Sequence, residues 1–395
     1  MPFVERERCP GCGAAGPSNA VTLLKTRFSD GAVGDFIRRF YNFDPSGLEG
    51  FYQADCCLRC GLIFQRHIGD AEMMRYIYSD LVTDDPPDKI PTFQADIRDW
   101  KGSRDGHELM ALSSFLDKPK LKVLDYGTGW GLWPIIASKL GHDAYATELA
   151  QDRSAWVSTQ GVAMISDDEI SNHRFDVINL EQVLEHVPEP AKLLERLTRS
   201  LGGILKLSLP DAGRARNILA SMMSGESRYE KIMPVQPLEH INSFSRRTLL
   251  DLASRLGLRE AKPSLRDLYS FIPGGIPSAP RRIAKEMIRP FWTWRNPSNL
   301  YVWLIRDSMI SASSQRPLST QRRHYALPFL ALMTKTRKRH EWLSGSEWPI
   351  TDHPNWLADR PDSGPISPFK WLGGSRFWIE RTPRTLAAPT TGIQP

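Results

Sequence analysis

The chain is 395 residues long, enough for two or three domains with cores of their own, and its 41% hydrophobic and 24% charged residues suit a folded protein rather than a disordered one. No apolar run approaches the roughly 18 residues needed to span a bilayer, and the start, MPFVERERCPGCG, lacks the apolar core of a secretory signal, so a cytoplasmic setting with five reduced cysteines is expected. The net charge of +6 is uneven: residues 1–270 carry 33 basic against 37 acidic side chains, and residues 271–395 carry 18 against 8.

Residues 1–80 read as a first module that holds every cysteine. CPGCG (9–13) and CCLRCG (56–61) supply Cys9-x2-Cys12 and Cys57-x2-Cys60, two knuckles that suit a tetrahedral zinc ribbon with four thiolate ligands and a structural Zn2+. The 44 residues between the pairs exceed a compact ribbon's gap, so an insertion is expected, with GAVGDFIRRFYNFDPSG (31–47) as its loop material. Cys56 is left over. The acidic, proline-bearing LVTDDPPDKIP (81–91) reads as a domain boundary.

Residues 92–310 read as a second domain. IRDWKGSRDGHELMALSSFL (97–116) is broadly helical, and strands then alternate with helices. Strands are expected at 122–127, 143–149, 162–165, 175–182 and 203–210, and helices at 132–140, 152–159, 191–201 and 245–258. NLYVWLIRDS (299–308) reads as a late strand. Apolar strands alternating with amphipathic helices imply an α/β, doubly wound, mostly parallel sheet covered on both faces.

In such a sheet, ligands bind where the first strand turns into a helix. The turn here is VLDYGTGWG (123–131), or D-x-G-x-G-x-G. A nicotinamide site uses G-x-G-x-x-G to hold a pyrophosphate, and an acid before the first glycine would repel one. Asp125 suits a cationic amino-acid head group or an adjoining hydrogen-bond network instead. Glu148 ends the second strand, seventeen residues past Gly131, where a carboxylate accepts from ribose hydroxyls.

VLDYGTGWG, ATEL (146–149), FDVINLEQVLEHVPEP (175–190) and GGILKLSLP (202–210) together resemble the class I S-adenosylmethionine-dependent methyltransferases, over about residues 120–260. That resemblance implies a seven-stranded, Rossmann-like sheet and S-adenosylmethionine as cofactor. Asp125, Gly127, Thr128, Gly129 and Gly131 would shape the methionine-side turn, and Glu148 would hold the ribose. Asp167, or Asp168 beside it, would sit by the adenine amine. Leu180 and Glu181 would line the pocket at the end of the fourth strand. CCLRCGLIFQRHIGDAEMMRYIY (56–78) is also similar to the amino-terminal zinc-binding module of sugar C-methyltransferases, although the VLDYGTGWG turn departs from theirs. This points to O- or C-methylation of a sugar or glycan, nucleotide-linked or lipid-linked. The competing readings are a small metabolite of polyketide or quinone type, and an RNA.

Methyl transfer to a hydroxyl needs placement and a base of near-neutral pKa. His186 in VLEHVPEP and His240 in PLEHINSFS are the candidates for the catalytic role, with Glu185 and Glu239 before them to orient the rings.

Residues 311–395 read as a basic, Trp- and Pro-rich extension. Eight of the twelve tryptophans follow residue 290. The basic segments 279–306 and 320–342 suit peripheral contact with an anionic membrane at the inner face, or packing over the acceptor side. No recognised nucleic-acid motif is present, and a nucleic-acid partner is not expected.

Overall fold

The computed structural model describes residues 3–81, 85–101, 103–225, 232–263, 267 and 299–307. The extension at 311–395, and the basic segments before it up to Ser298, lie outside the described residues.

The cysteine-bearing module is a small antiparallel structure. Its first strand, β1 (Phe3–Glu5), pairs with β5 (His67–Gly69). Between them lie β2 (Ala20–Arg27), β3 (Phe51–Cys57) and β4 (Ile63–Gln65), hydrogen-bonded in that order. Alternation along β3 sends neighbouring cysteines to opposite faces. Cys57 joins the core shared with the large sheet, and Cys56 joins the core under the module, where Arg216 Nη2 lies 2.9 Å from its sulfur.

Residues 31–47 are not loop. They hold an eleven-residue helix, α1 (Gly31–Tyr41), and a short 3-10 turn. Val33, Phe36, Ile37 and Tyr41 recur at helical spacing and are all buried. The apolar stripe outweighs the glycines at 31 and 34 that suggest a turn. Tyr76 closes the next helix, α2 (Ala71–Tyr76), which Asp70 caps by accepting from the Met73 N–H.

The broadly helical stretch 97–116 spans the end of α3 (Pro91–Arg98) and the whole of α4 (Arg104–Leu116). Ser103 starts the second, its hydroxyl accepting from the Gly106 N–H, and that N-cap sets the break.

From here sequence and structure run in step: β6 (Lys122–Tyr126), α5 (Leu132–Lys139), β7 (Asp143–Thr147), α6 (Gln151–Ser158), β8 (Ala163–Met164), β9 (Phe175–Glu181), α7 (Pro190–Arg199) and β10 (Leu201–Pro210). The helix α8 (Ala215–Met223), the short β11 (Asn242–Ser243), α9 (Arg246–Arg255), β12 (Leu258–Ala261) and β13 (Asn299–Arg306) complete the set. The seven-stranded sheet has the order β12-β13-β10-β9-β6-β7-β8. Only β13 runs against its neighbours. Val177, Ile178 and Leu180 of β9 are all buried, as expected for a strand covered on both faces. From α7, Leu193, Leu194 and Leu197 enter the core, each such burial contributing about 2 kcal/mol.

Two features position the site. The chain leaves β6 toward β7 and β8, then returns to β9 on β6's other side, so a cleft opens beyond the carboxyl ends of β6 and β9. In addition, β11 pairs with β4, which draws the 233–243 segment of the large domain into the sheet of the cysteine-bearing module. Among the described residues, no helix is long and apolar enough to cross a membrane.

Candidate active site

The glycine turn is wired to its own neighbourhood. Asp125, buried at the end of β6, accepts from Asn179 Nδ2 (2.7 Å) on β9 and from Thr128 Oγ1 (2.6 Å) within the turn. Burial raises its pKa to about 7, against the pull of these two bonds. Asp125 and Thr128 thus serve the hydrogen-bond network, one of the two roles that the sequence leaves open for Asp125. Gly131 has φ +71°, and a Cβ there would lie 2.6 Å from Val157 Cγ2 on α6. Gly129 has φ +56° but meets nothing within 4 Å, so its α-carbon faces open space. Gly131 is needed for packing and Gly129 leaves room.

Glu148 follows β7 and turns both carboxylate oxygens to backbone, accepting from Gly129 N–H (2.7 Å) and Ala150 N–H (2.9 Å). Leu149 beside it is 100% exposed, an apolar side chain with no apolar cover. A carboxylate, an open glycine backbone and a bare apolar side chain at one strand end fit a ribose and a base, as S-adenosylmethionine would present.

The remaining expected pocket residues fall differently. Asp167 pairs with Arg196 Nη2 (2.6 Å) and accepts from Tyr126 Oη (3.2 Å), so its carboxylate is engaged at the surface; Asp168 beside it is exposed. Leu180 points into the apolar core rather than the cleft, because alternation along β9 gives the cleft end to Glu181. Glu181 heads a charge network that the sequence did not reveal. It accepts from Arg104 Nη2 (2.7 Å) and lies 3.4 Å from Lys206 Nζ, while Lys206 also reaches Glu108 at 2.7 Å. Burial would raise the Glu181 pKa, but the Arg104 and Lys206 cations outweigh it and hold the carboxylate ionised. Lys206 is 0% exposed and stays charged for the same reason. Its only sequence signal is a lysine inside an apolar strand.

Past Val183, which packs against Gly127, lies a seam between the large domain and the cysteine-bearing module. It brings together His186 and His240, 54 positions apart, with ring centroids 4.9 Å apart. Asn242 fastens the two turns: its amide donates to Val187 O (2.7 Å) and Leu184 O (3.3 Å), and its N–H to Glu185 O (3.0 Å). Arg6 of the module reaches in to donate to Asn242 Oδ1 (2.9 Å) and Ile241 O (2.5 Å). Both turns contain a non-glycine residue at left-handed φ, Gln182 (+55°) and Leu238 (+73°). Such backbone costs about 1–3 kcal/mol per residue and persists where packing enforces it.

The two preceding glutamates differ. Glu239 accepts from Tyr41 Oη (2.7 Å) of α1 and from Gln236 Nε2. Glu185 is 2% exposed, neither oxygen is hydrogen-bonded to another of the described residues, and burial lifts its pKa to about 8. Burial also lowers both histidines, His240 to about 4 and His186 well below its usual value, so both rings are neutral.

Residues 99–260 match the family described as a methyltransferase domain. The chain carries a class I S-adenosylmethionine-dependent methyltransferase domain. Among solved structures this methyltransferase is similar to the plantazolicin methyltransferase BpumL in complex with SAH (17% identity, TM-score 0.35, covering 59% of this chain and 93% of that one). It is also similar to the magnesium protoporphyrin IX methyltransferase ChlM of Synechocystis with bound SAH (16%, 0.30, 48% and 85%). A third is an S-adenosylmethionine-dependent methyltransferase from Mesorhizobium loti (17%, 0.33, 52% and 99%). No curated protein sequence matches.

Ahead of the methyltransferase domain, the four knuckle cysteines converge. Cys9 Sγ lies 3.6 Å from Cys60 Sγ, Cys12 Sγ lies 3.6 Å from Cys57 Sγ, and all four sulfurs fall within 4.8 Å of one another. The knuckles share one backbone pattern: Gly13 N–H to Cys9 O and Cys9 N–H to Ala14 O, then Gly61 N–H to Cys57 O and Cys57 N–H to Leu62 O. A zinc tetrahedron with thiolate bonds near 2.3 Å has edges of about 3.8 Å, so the set fits that ion. The Cys9–Cys60 contact lowers the Cys60 thiol and raises that of Cys9, as two thiols sharing one proton do.

Proposed function

We propose that the chain moves the methyl group of S-adenosylmethionine to an oxygen or carbon of a sugar or glycan. What supports this reading is the seam beside the glycine turn, a cluster of mostly buried polar side chains whose chemistry suits a polyhydroxylated acceptor better than an apolar ring. Glu185, His186 and His240 stand in it, with Tyr41 behind Glu239. In this reading Glu148 accepts from the ribose hydroxyls, Leu149 covers one face of the base, and the glycine turn carries the amino-acid end. When bound, S-adenosylmethionine supplies a methyl on a sulfonium, which needs an aligned nucleophile more than any activation. The chain's own part is then to place the acceptor between turn and seam and to deal with its proton. We further propose that Cys9, Cys12, Cys57 and Cys60 hold one structural zinc that locks the module against the large sheet.

The test incubates the full-length protein and methyl-labelled S-adenosylmethionine with a fractionated cell extract. Label in nucleotide-sugar or lipid-linked glycan fractions is expected. Label confined to other small metabolites or to RNA would remove the sugar. Glu148→Ala is expected to weaken S-adenosylmethionine at least about tenfold with the fold intact; unchanged affinity would overturn the cofactor assignment.

A further inference from the structure

Glu185 carries a buried carboxyl whose two oxygens have no hydrogen-bond partner on any other of the described residues. A group left in that condition calls for a cation or a donor to complete it. Facing it are two imidazoles held in the same way. His186 Nδ1 lies 3.1 Å from Glu239 O, and His240 Nδ1 lies 2.6 Å from Met233 O. A carbonyl oxygen can only accept, so each Nδ1 carries the proton and each Nε2 presents its lone pair. Ligating histidines are held like this: the outer N–H bonds a carbonyl and fixes the ring, while the inner nitrogen faces the ion.

The spacing agrees. His186 Nε2 is 3.9 Å from Glu185 Oε1, and one ligand atom from each of Glu185, His186 and His240 lies within 4.8 Å of the other two. Around an ion with bonds of about 2.0–2.1 Å, tetrahedral neighbours sit about 3.3 Å apart, so modest side-chain rotation closes the set.

We propose that Glu185, His186 and His240 bind a divalent transition-metal cation, distinct from the ion of the four cysteines. Two imidazoles and one carboxylate suit zinc, iron or cobalt, whereas magnesium and calcium prefer an all-oxygen shell. Three protein ligands leave a position open. The site adjoins the glycine turn, because Val183, two residues before Glu185, comes within 3.0 Å of where a Cβ on Gly127 would stand. An ion here would take an acceptor oxygen in its open position and lower that oxygen's pKa, which makes the histidines ligands and not proton takers. That last role rests on the methyl-transfer reading; the ion itself rests on the triad alone.

The experiment loads the full-length protein with Co2+ and reads bound metal, absorption and paramagnetic proton NMR. Wild type is expected to bind one equivalent more than Glu185→Gln or His240→Ala. That extra ion should add no thiolate charge-transfer band, which separates it from the cysteine site. In the wild type, two exchangeable imidazole N–H resonances, those of the Nδ1 protons, should shift far outside the diamagnetic range. This NMR reading needs no variant, so it stands even where a substitution unfolds the chain. Equal metal content in all three folded proteins, or no shifted imidazole resonance in the wild type, overturns the proposal. Calorimetry with S-adenosylmethionine reads the cofactor assignment separately.

Discussion

The glycine turn and the histidine seam adjoin through Gly127 and Val183 and treat their carboxylates in opposite ways. On the turn side every one is answered: Asp125 by Asn179 and Thr128, Glu148 by two backbone N–H groups, Glu181 by Arg104 and Lys206. On the seam side Glu185 is unanswered, and the strained residues Gln182 and Leu238 precede the histidines. Answered charges build structure. Unanswered ones are tolerated where a missing component completes them.

That contrast can be broken by measurement. The largest effect is expected from Lys206→Met, which takes the cation from the buried Glu108 and leaves the half-buried Glu181 to Arg104 alone. A loss of about 3–5 kcal/mol is expected by denaturant unfolding; less than 1 kcal/mol would mean that the network is decoration. Asp125 gives the next effect, through pH. Its folded pKa is about 7 against 3.8 unfolded. The folded state therefore holds the extra proton between these values, and stability falls as pH rises from about 4 to 7, then levels off. The total is about 4 kcal/mol, and Asp125→Asn should flatten that slope.

Gly131→Ala should cost about 2–4 kcal/mol, from left-handed strain plus the collision with Val157. Gly129→Ala should cost only the strain, about 1–2 kcal/mol, yet weaken S-adenosylmethionine more, because its methyl would enter the cleft. The reverse order would exchange the roles given to the two glycines. The smallest effect should come from Glu185→Gln, because burial already favours the protonated, neutral carboxyl and no other described residue hydrogen-bonds it. Stability within about 1 kcal/mol of wild type, or above it, is expected. A loss as large as that of Lys206→Met would erase the difference between the two sides.

Legibility in the sequence follows the same division. The strands from Lys122 to Pro210 and the glycine turn could be read because each is local: apolar runs, helical stripes and a D-x-G-x-G-x-G spacing within nine residues. The helix at Gly31–Tyr41 was hidden by its glycines, although Val33, Phe36 and Ile37 carry the stripe. The seam could not be read as a unit. Leu184-Glu185-His186 and Leu238-Glu239-His240 repeat the same tripeptide, but nothing local shows that Tyr41 answers one glutamate and leaves the other bare. Such partners, like Arg6 on Asn242, meet only after two sheets have joined through β11 and β4.

The last strand of the large sheet has a consequence for synthesis. β13 lies between β10 and β12, hydrogen-bonded to both, yet it is made after them. A nascent chain leaving the ribosome has β12 without its sheet partner until Asn299–Arg306 emerges and is wedged into the gap. The stretch that matches the family, residues 99–260, stops before that wedge. A chain cut there keeps the glycine turn and both histidines but has a missing rung inside the sheet, and β12 presents an unpaired edge to its neighbours in solution.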